Sequence, residues 1–177
     1  TREEIRYGLE SGILQFNVES EQELDTVAAV AAATGARARI ALRVNPDVDP
    51  QTHPYISTGL KKNKFGVAMD TAAELYGRAA ANPHLEVTGI DCHIGSQITQ
   101  IGPFVDALDR VLLFIDGLRG SSGIRIRYLD LGGDFTTARQ AFEVAAESIE
   151  AVVARGAQDE MRDFHRLVAG SAYHLGR

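Results

Sequence analysis

Two short motifs combine groups that bind anions and aromatic rings with glycines that leave the backbone open. They are His93-Ile94-Gly95-Ser96-Gln97 and Leu129-Asp130-Leu131-Gly132-Gly133. The Ser96 hydroxyl could hold an anion, and the amides of Gly132 and Gly133 could hold a phosphate at the start of a following helix. A glycine pair after a strand can also be only a tight turn. Taken together, the motifs indicate a phosphate-bearing ligand whose ring lies near His93.

Other polar side chains alternate with apolar ones along the predicted strands. Because the apolar residues must pack on helices, the polar residues face the interior of the sheet or barrel. This interior set consists of Gln15, Asn17, Arg39, Arg43, Asp91, His93 and Asp130. Several of them lie near the carboxyl ends of strands, where α/β folds bind ligands. We therefore predict a site there, although Asp130 could simply pair with Arg43.

The elements that must position these residues alternate between strands and helices. Strands are predicted at residues 13–18, 38–45, 86–94 and 126–131, and helices at 2–10, 20–35, 71–81 and 103–118. Capping-box patterns support the helix starts at Thr1, Ser20 and Thr71. Residues 47–69 read as a long functional or interface loop, and residues 120–123 as a turn. Parallel strands joined by helices predict an α/β fold, a partial TIM-type (β/α)8 barrel with about four strands.

The pattern changes after Gly133. Residues 136–155 and 159–168 read as amphipathic helices, and no further strand is predicted. We therefore divide the chain into a partial barrel domain, residues 1–133, and a helical segment, residues 134–177.

Composition excludes several classes of function. The chain has 177 residues and a net charge of −6, which disfavours a nucleic-acid-binding surface. It has no apolar run long enough for a membrane span, no signal-like start and a single cysteine, so we expect a cytoplasmic protein without disulfides. Cys92 is expected to be a small buried apolar residue, and no metal-ligating set is predicted. The three lysines, Lys61, Lys62 and Lys64, are interpreted as part of a solvated loop.

Residues 1–133 resemble the central part of the barrel domain of the diaminopimelate decarboxylase family, pyridoxal-phosphate enzymes of the alanine racemase-like fold type. The resemblance rests on the two motifs above and on four more in the family's order: Phe16-Asn17-Val18-Glu19-Ser20, Leu42-Arg43-Val44-Asn45-Pro46, Ile56-Ser57-Thr58-Gly59 and Asn63-Lys64-Phe65-Gly66. Ornithine and arginine decarboxylases share the histidine and glycine motifs. Gln97 and the stretch 43–66 are more similar to the diaminopimelate branch.

The resemblance implies roles for five residues. His93 would stack on the ring of pyridoxal phosphate, Arg43 would lie beneath the cofactor, and Ser96, Gly132 and Gly133 would belong to the phosphate cradle. It also implies an amino-acid substrate, meso-diaminopimelate, which is converted to L-lysine and carbon dioxide by a homodimeric enzyme.

The chain also departs from the family pattern. The family's cofactor-binding lysine lies upstream of Thr1, and Lys64 belongs to another motif and does not replace it. The later barrel strands and the second domain have no counterpart here, and the family's third glycine is Asp134, a negative charge where the phosphate would sit. We therefore assign no catalytic residue and expect no decarboxylase activity from this chain alone.

Two alternatives remain open. The chain could be a non-catalytic half-barrel, as a fragment or a chimera with a helical fusion, or it could derive from a different decarboxylase or racemase of the same fold. A half-barrel would leave two strand edges unpaired unless another segment or a second copy covers them.

Overall fold

The computed structural model describes residues 1–48, 65–95 and 102–132, which form a parallel sheet with helices packed against it. The elements in chain order are α1 (Arg2–Glu10), β1 (Phe16–Val18), α2 (Glu21–Thr34), β2 (Ala38–Asn45), β3 (Val67–Ala68), α3 (Met69–Ala81), β4 (Leu85–Asp91), α4 (Gly102–Ser122) and β5 (Tyr128–Asp130). The sheet order is β1-β2-β4-β5, with β3 paired to β2, and all pairs are parallel. The predicted alternation of strands and helices is confirmed. The predicted helices of the 134–177 segment lie outside the described residues.

The helix starts of α1 and α2 follow from their capping residues. Thr1 and Glu4 form a complete capping box on α1. Ser20 accepts a hydrogen bond from the Glu23 amide at the start of α2, which ends at Gly35 in the left-handed conformation. These contacts satisfy backbone groups that a helix end leaves without partners. Within the described segments, no helix is both long and apolar enough to cross a membrane.

One face of the sheet packs against the helices and forms the core. Its buried sheet residues include Val18, Ile40, Leu42, Val44, Ile90 and Cys92, and the helices contribute Leu24, Val27, Leu75, Tyr76, Leu108 and Val111. Cys92 is buried as expected, and burial raises the pKa of its thiol. Because alternate apolar residues of each strand point to this face, the polar residues between those apolar residues point to the opposite face of the sheet.

Several predicted boundaries were wrong. β1 is shorter than predicted, because Ile13 and Leu14 lie exposed ahead of it. α3 begins at Met69 without a side-chain cap, so the predicted start at Thr71 is incorrect. The predicted turn at 120–123 is largely the last turn of α4, and the predicted loop 47–69 contains strand β3. These short features carry too little periodicity to be recognised from the sequence.

A β-bulge at Thr88 sets the direction of the side chains that follow it in β4. Ile40 is paired with Val87 and Ala41 with Gly89, so Thr88 is the extra residue. Because of this insertion, Val87 and Ile90 both pack on the core although three positions separate them. Without the bulge, the residues after it would face the opposite side of the sheet. The bulge therefore directs Asp91 to the polar face.

The bulge is held by two hydroxyl groups. The buried Tyr76 hydroxyl donates to the Gly89 carbonyl oxygen at 2.9 Å. The Thr88 hydroxyl lies 3.1 Å from both the Ile40 carbonyl oxygen and Gln15 Oε1. The hydrogen bond of Tyr76 thus ties α3 to the strand segment just before Asp91.

Replacing Tyr76 by phenylalanine is expected to lower the free energy of unfolding by about 1–2 kcal/mol, because a buried carbonyl loses its donor. Urea unfolding of the purified protein measures this. Tyr128→Phe, on the less buried strand β5, is the matched control. Equal effects of the two substitutions would show that the Tyr76 hydrogen bond contributes nothing specific.

Candidate functional site

Four charged side chains lie side by side at the carboxyl end of the sheet. The strand register pairs Arg43 of β2 with Asp91 of β4, and Asp91 with Asp130 of β5. Glu19, the residue after β1, extends this line, since its Oε1 accepts from Arg43 Nη1 at 2.6 Å. We refer to Glu19, Arg43, Asp91 and Asp130 as the charged row.

Arg43 is held in place by contacts on several sides. Its Nε lies 3.8 Å from Asp91 Oδ2, a longer approach than the 2.6 Å to Glu19. Its guanidinium carbon lies 5.7 Å from the centre of the Phe65 ring, a cation–π contact. A Cβ at Gly66, whose φ is +79°, would come within 2.9 Å of the Arg43 carbonyl oxygen. The Phe65-Gly66 part of its motif therefore packs directly on Arg43.

The start of α2 fixes the backbone of Glu19. Ser20 is the N-cap residue, and Glu23 Oε2 accepts a hydrogen bond from the Glu19 amide at 2.7 Å. The Glu19 side chain is thereby left to pair with Arg43. Sequence reasoning missed this role, although Glu19 follows Asn17 by two residues and so continues the same strand face.

Asp91 is the most buried member of the charged row, with 6% of its surface exposed. Burial raises the pKa of Asp91 to about 7, and the neighbouring carboxylate of Asp130 adds to this rise. The positive charge of Arg43 opposes it, and Glu19 adds a smaller increase. The Asp91 carboxyl can therefore gain or lose a proton near neutral pH.

The two motifs singled out from the sequence meet at His93 and Gly132. Gly132 has a φ of +61°, and its amide donates to Asp130 Oδ1 at 2.8 Å. A Cβ at this position would lie 2.3 Å from His93 Nδ1, so the imidazole packs against the Gly132 backbone. Burial, and then the charge of Arg43, lower the pKa of His93, with Asp130 acting in the opposite direction. A neutral imidazole ring is therefore favoured beside the charged row.

Other members of the predicted interior set form hydrogen bonds outside the charged row and the His93–Gly132 contact. Gln15 Nε2 donates to Asn17 Oδ1 at 3.1 Å, and Arg39 Nη2 donates to the Ile13 carbonyl oxygen at 2.9 Å. Among the described residues, Asp130 forms its hydrogen bond with Gly132 and not with Arg43, so the simple pair considered from the sequence is not formed. Ser96 and Gly133 lie outside the described residues.

The sequence of the chain is similar to those of pyridoxal-dependent decarboxylases. The family described as "Pyridoxal-dependent decarboxylase, pyridoxal binding domain" matches residues 1–168. The diaminopimelate decarboxylases of Pseudomonas aeruginosa and Vibrio cholerae are 61% and 55% identical to the chain over 133 residues. Each match covers 75% of this chain and 32% of the relative, so the chain spans about a third of the length of these relatives. The division of the chain at residue 133 stays a prediction.

Solved structures show the same likeness. A point mutant of diaminopimelate decarboxylase from Helicobacter pylori, complexed with L-lysine, superposes with a TM-score of 0.75 at 36% identity, over 82% of this chain and 40% of that one. Alanine racemase from Clostridium difficile has a TM-score of 0.55 at 10% identity, over 75% of this chain and 30% of that one, and supports the fold alone. The predicted α/β class, as part of a barrel of this type, is confirmed.

Proposed function

The chain belongs to the pyridoxal-dependent decarboxylase family, in its pyridoxal binding domain, and we propose that it forms part of the cofactor site of a meso-diaminopimelate decarboxylase. The observation that carries this proposal is the packing of His93 on Gly132 at the ends of neighbouring strands. The carboxyl ends of parallel strands are where barrels of this class place their ligands.

The described residues fit pyridoxal phosphate at its ring. His93 is half-buried and its lowered pKa favours the neutral imidazole, a flat surface on which a pyridine ring can stack. Arg43 supplies a cation on β2, the strand next to β4, where it is paired in register with Asp91. The Gly132 amide already donates to Asp130, so the phosphate would be held by other groups of the two motifs, for which we propose Gly133 and Ser96.

Pyridoxal phosphate, when bound, supplies an electron sink for bond cleavage at the α-carbon of an amino acid. The chain's own residues would bind the cofactor and orient it. His93 would fix the plane of the ring, and the Gly132 backbone fixes His93. Arg43, held by Glu19, keeps a positive charge in an interior that otherwise presents carboxylates. None of the described residues is assigned a covalent role.

The substrate assignment is supported by the relatives. The curated relatives named above are diaminopimelate decarboxylases, and the Helicobacter pylori structure contains L-lysine. We infer that the complete enzyme converts meso-diaminopimelate to L-lysine and carbon dioxide. The homodimer and the cytoplasmic location expected from the sequence belong to the same proposal, and light scattering of the complete enzyme tests the dimer.

A chimera tests the proposed function directly. Residues 1–133 would replace the corresponding segment of the Pseudomonas aeruginosa relative, and carbon dioxide release from meso-diaminopimelate would be measured. We expect the chimera to be active and the 177-residue chain alone to be inactive. His93→Ala in the chimera should weaken cofactor binding roughly three- to tenfold, the value of one aromatic stacking contact.

Two results would contradict the proposal. One is a folded chimera that binds pyridoxal phosphate but releases no carbon dioxide from diaminopimelate, which would favour another decarboxylase or a racemase of this fold. The other is a folded chimera without cofactor binding, which would favour the non-catalytic half-barrel.

A further inference from the structure

We propose that Asp91 is a positioning residue of the cofactor site: it holds a proton between Arg43 and Asp130 and so limits the negative charge that the sheet presents beside His93. This inference rests on the proposed function only where it concerns the cofactor. The protonation of Asp91 itself follows from contacts within the described residues.

Arg43 is shared unequally between Glu19 and Asp91. Its shortest contact with a carboxylate is the 2.6 Å hydrogen bond to Glu19. Asp91 lies 3.8 Å away, beyond hydrogen-bonding distance. The more buried carboxyl of the two thus has the weaker ionic partner, since 9% of the Asp91 side chain is exposed against 38% of Glu19. An ionised, buried carboxylate without a close partner is unfavourable.

Asp130 lies beside Asp91 on the neighbouring strand. Because β4 and β5 are parallel and in register, Asp91 and Asp130 are direct neighbours. Asp130 is exposed and its Oδ1 accepts a hydrogen bond from the Gly132 amide, whereas the Asp91 carboxyl is buried. The charge of Asp130 and the burial of Asp91 therefore both favour a proton on Asp91.

Among the described residues, carboxyl groups outnumber cations around Asp91. Arg43 faces it from β2, Glu19 from the end of β1 and Asp130 from β5, while the Tyr76 hydroxyl and the Cys92 thiol lie close enough for their pKa values to be raised further by its charge. Arg43 is the one cation among these groups. With every carboxyl ionised, the charged row has a net charge of −2, and a proton on Asp91 reduces this to −1.

The consequence for the cofactor is electrostatic. Pyridoxal phosphate is an anion, and His93, its proposed contact, follows Asp91 by two positions, just beyond the end of β4. Removing one negative charge from the neighbouring row favours anion binding. Ionisation of Asp91 above about pH 7 should then weaken the affinity for the cofactor.

The test compares the unmodified protein with Asp91→Asn, which mimics the protonated carboxyl in shape and charge. The full 177-residue chain, labelled at the aspartate carboxyl carbons, is titrated by NMR. Asp109→Asn, which removes an exposed carboxylate of α4, is the matched control. We expect one aspartate resonance with a midpoint near pH 7, lost in Asp91→Asn and kept in the control. Through-bond correlation to its backbone assigns the resonance even if the variant does not fold.

The second measurement is the dissociation constant for pyridoxal phosphate in the chimera described above, with and without Asp91→Asn. Taking the ratio of the two dissociation constants at each pH cancels the effect that protonation of pyridoxal phosphate itself has on both of them. We expect the unmodified chimera to bind roughly three- to tenfold more weakly than Asp91→Asn at pH 8.5, and the two to be equal at pH 5.5.

An Asp91 carboxyl that titrates below pH 5 would overturn the proposal. A ratio of dissociation constants that does not change with pH would overturn its link to the cofactor site. If pyridoxal phosphate binds neither chimera, the proposed function is contradicted, while the NMR titration of the free chain still decides whether Asp91 holds a proton.

Discussion

Replacing Gly132 by alanine is expected to displace the His93 imidazole and to weaken pyridoxal phosphate binding by roughly three- to tenfold, as loss of the His93 ring does. The added Cβ would lie 2.3 Å from His93 Nδ1 and 3.0 Å from its Cγ, distances at which one of the groups must move. Gly132 also has a φ of +61°, which a residue with a Cβ adopts only at a cost of about 1 kcal/mol. The substitution therefore combines backbone strain with a collision at the proposed ring-binding residue.

Gly123→Ala separates these two effects. Gly123 has a φ of +65°, close to that of Gly132, but a Cβ there would meet no atom within 4 Å. Both substitutions should lower the free energy of unfolding by about 1 kcal/mol through strain alone. Only Gly132→Ala should shift the imidazole NMR signals of His93 and weaken cofactor binding by the chimera. If the two variants bind the cofactor equally well, the packing of His93 on Gly132 does not position the ring.

Strand β2 shows how much of the fold is predictable from the sequence. Its bounds, Ala38–Asn45, were predicted correctly because apolar residues alternate along its whole length and Pro46 follows it. β3 and the bulge at Thr88 were not predicted. A two-residue strand has no periodicity, and an inserted residue depends on the hydroxyl of Tyr76 from a different element.

The sequence predicts the parts of the candidate site in which two residues are close because they follow neighbouring strands. His93 and Gly132 follow neighbouring parallel strands, so the sequence alone brings them together. The role of Glu19 depends on strand register, and the proton of Asp91 depends on burial and on the distance to Arg43. Register, burial and distance are properties of the packed molecule and cannot be derived from residue spacing.

Replacing Arg43 by methionine is expected to destabilise the protein by an amount that grows with pH. The substitution keeps much of the side-chain length but removes the cation that serves both Glu19 and Asp91. Near pH 5, Asp91 is already protonated in the folded protein, so the main loss is the partly exposed pair with Glu19, about 0.5–1 kcal/mol. Near pH 8.5, Asp91 is ionised in the unmodified protein, where Arg43 offsets its charge. Without that cation the buried carboxyl beside Asp130 must either ionise at a higher cost or bind a proton, and the loss should reach about 2–3 kcal/mol.

The direction of this pH dependence follows from the difference in the Asp91 pKa between the folded and the unfolded protein. Its pKa is about 7 in the folded protein, above the ordinary aspartate value of 3.8, so the folded state binds more protons between these values. The contribution of Asp91 to stability is complete below pH 3.8 and decreases as pH rises through about 7. Since the charge of Arg43 lowers this pKa, Arg43→Met raises it further, and the decrease continues to higher pH.

Arg119→Met provides the matched control, because Arg119 forms a comparably exposed ion pair with Asp116 within α4, away from the charged row. Its effect on the free energy of unfolding should be below about 1 kcal/mol and nearly the same at both pH values. Urea unfolding of the three proteins at pH 5 and 8.5 measures the difference. If the Arg43→Met effect is as independent of pH as that of Arg119→Met, the titration of Asp91 is not coupled to Arg43. The charged row would then be a set of separate surface charges and not one interacting group.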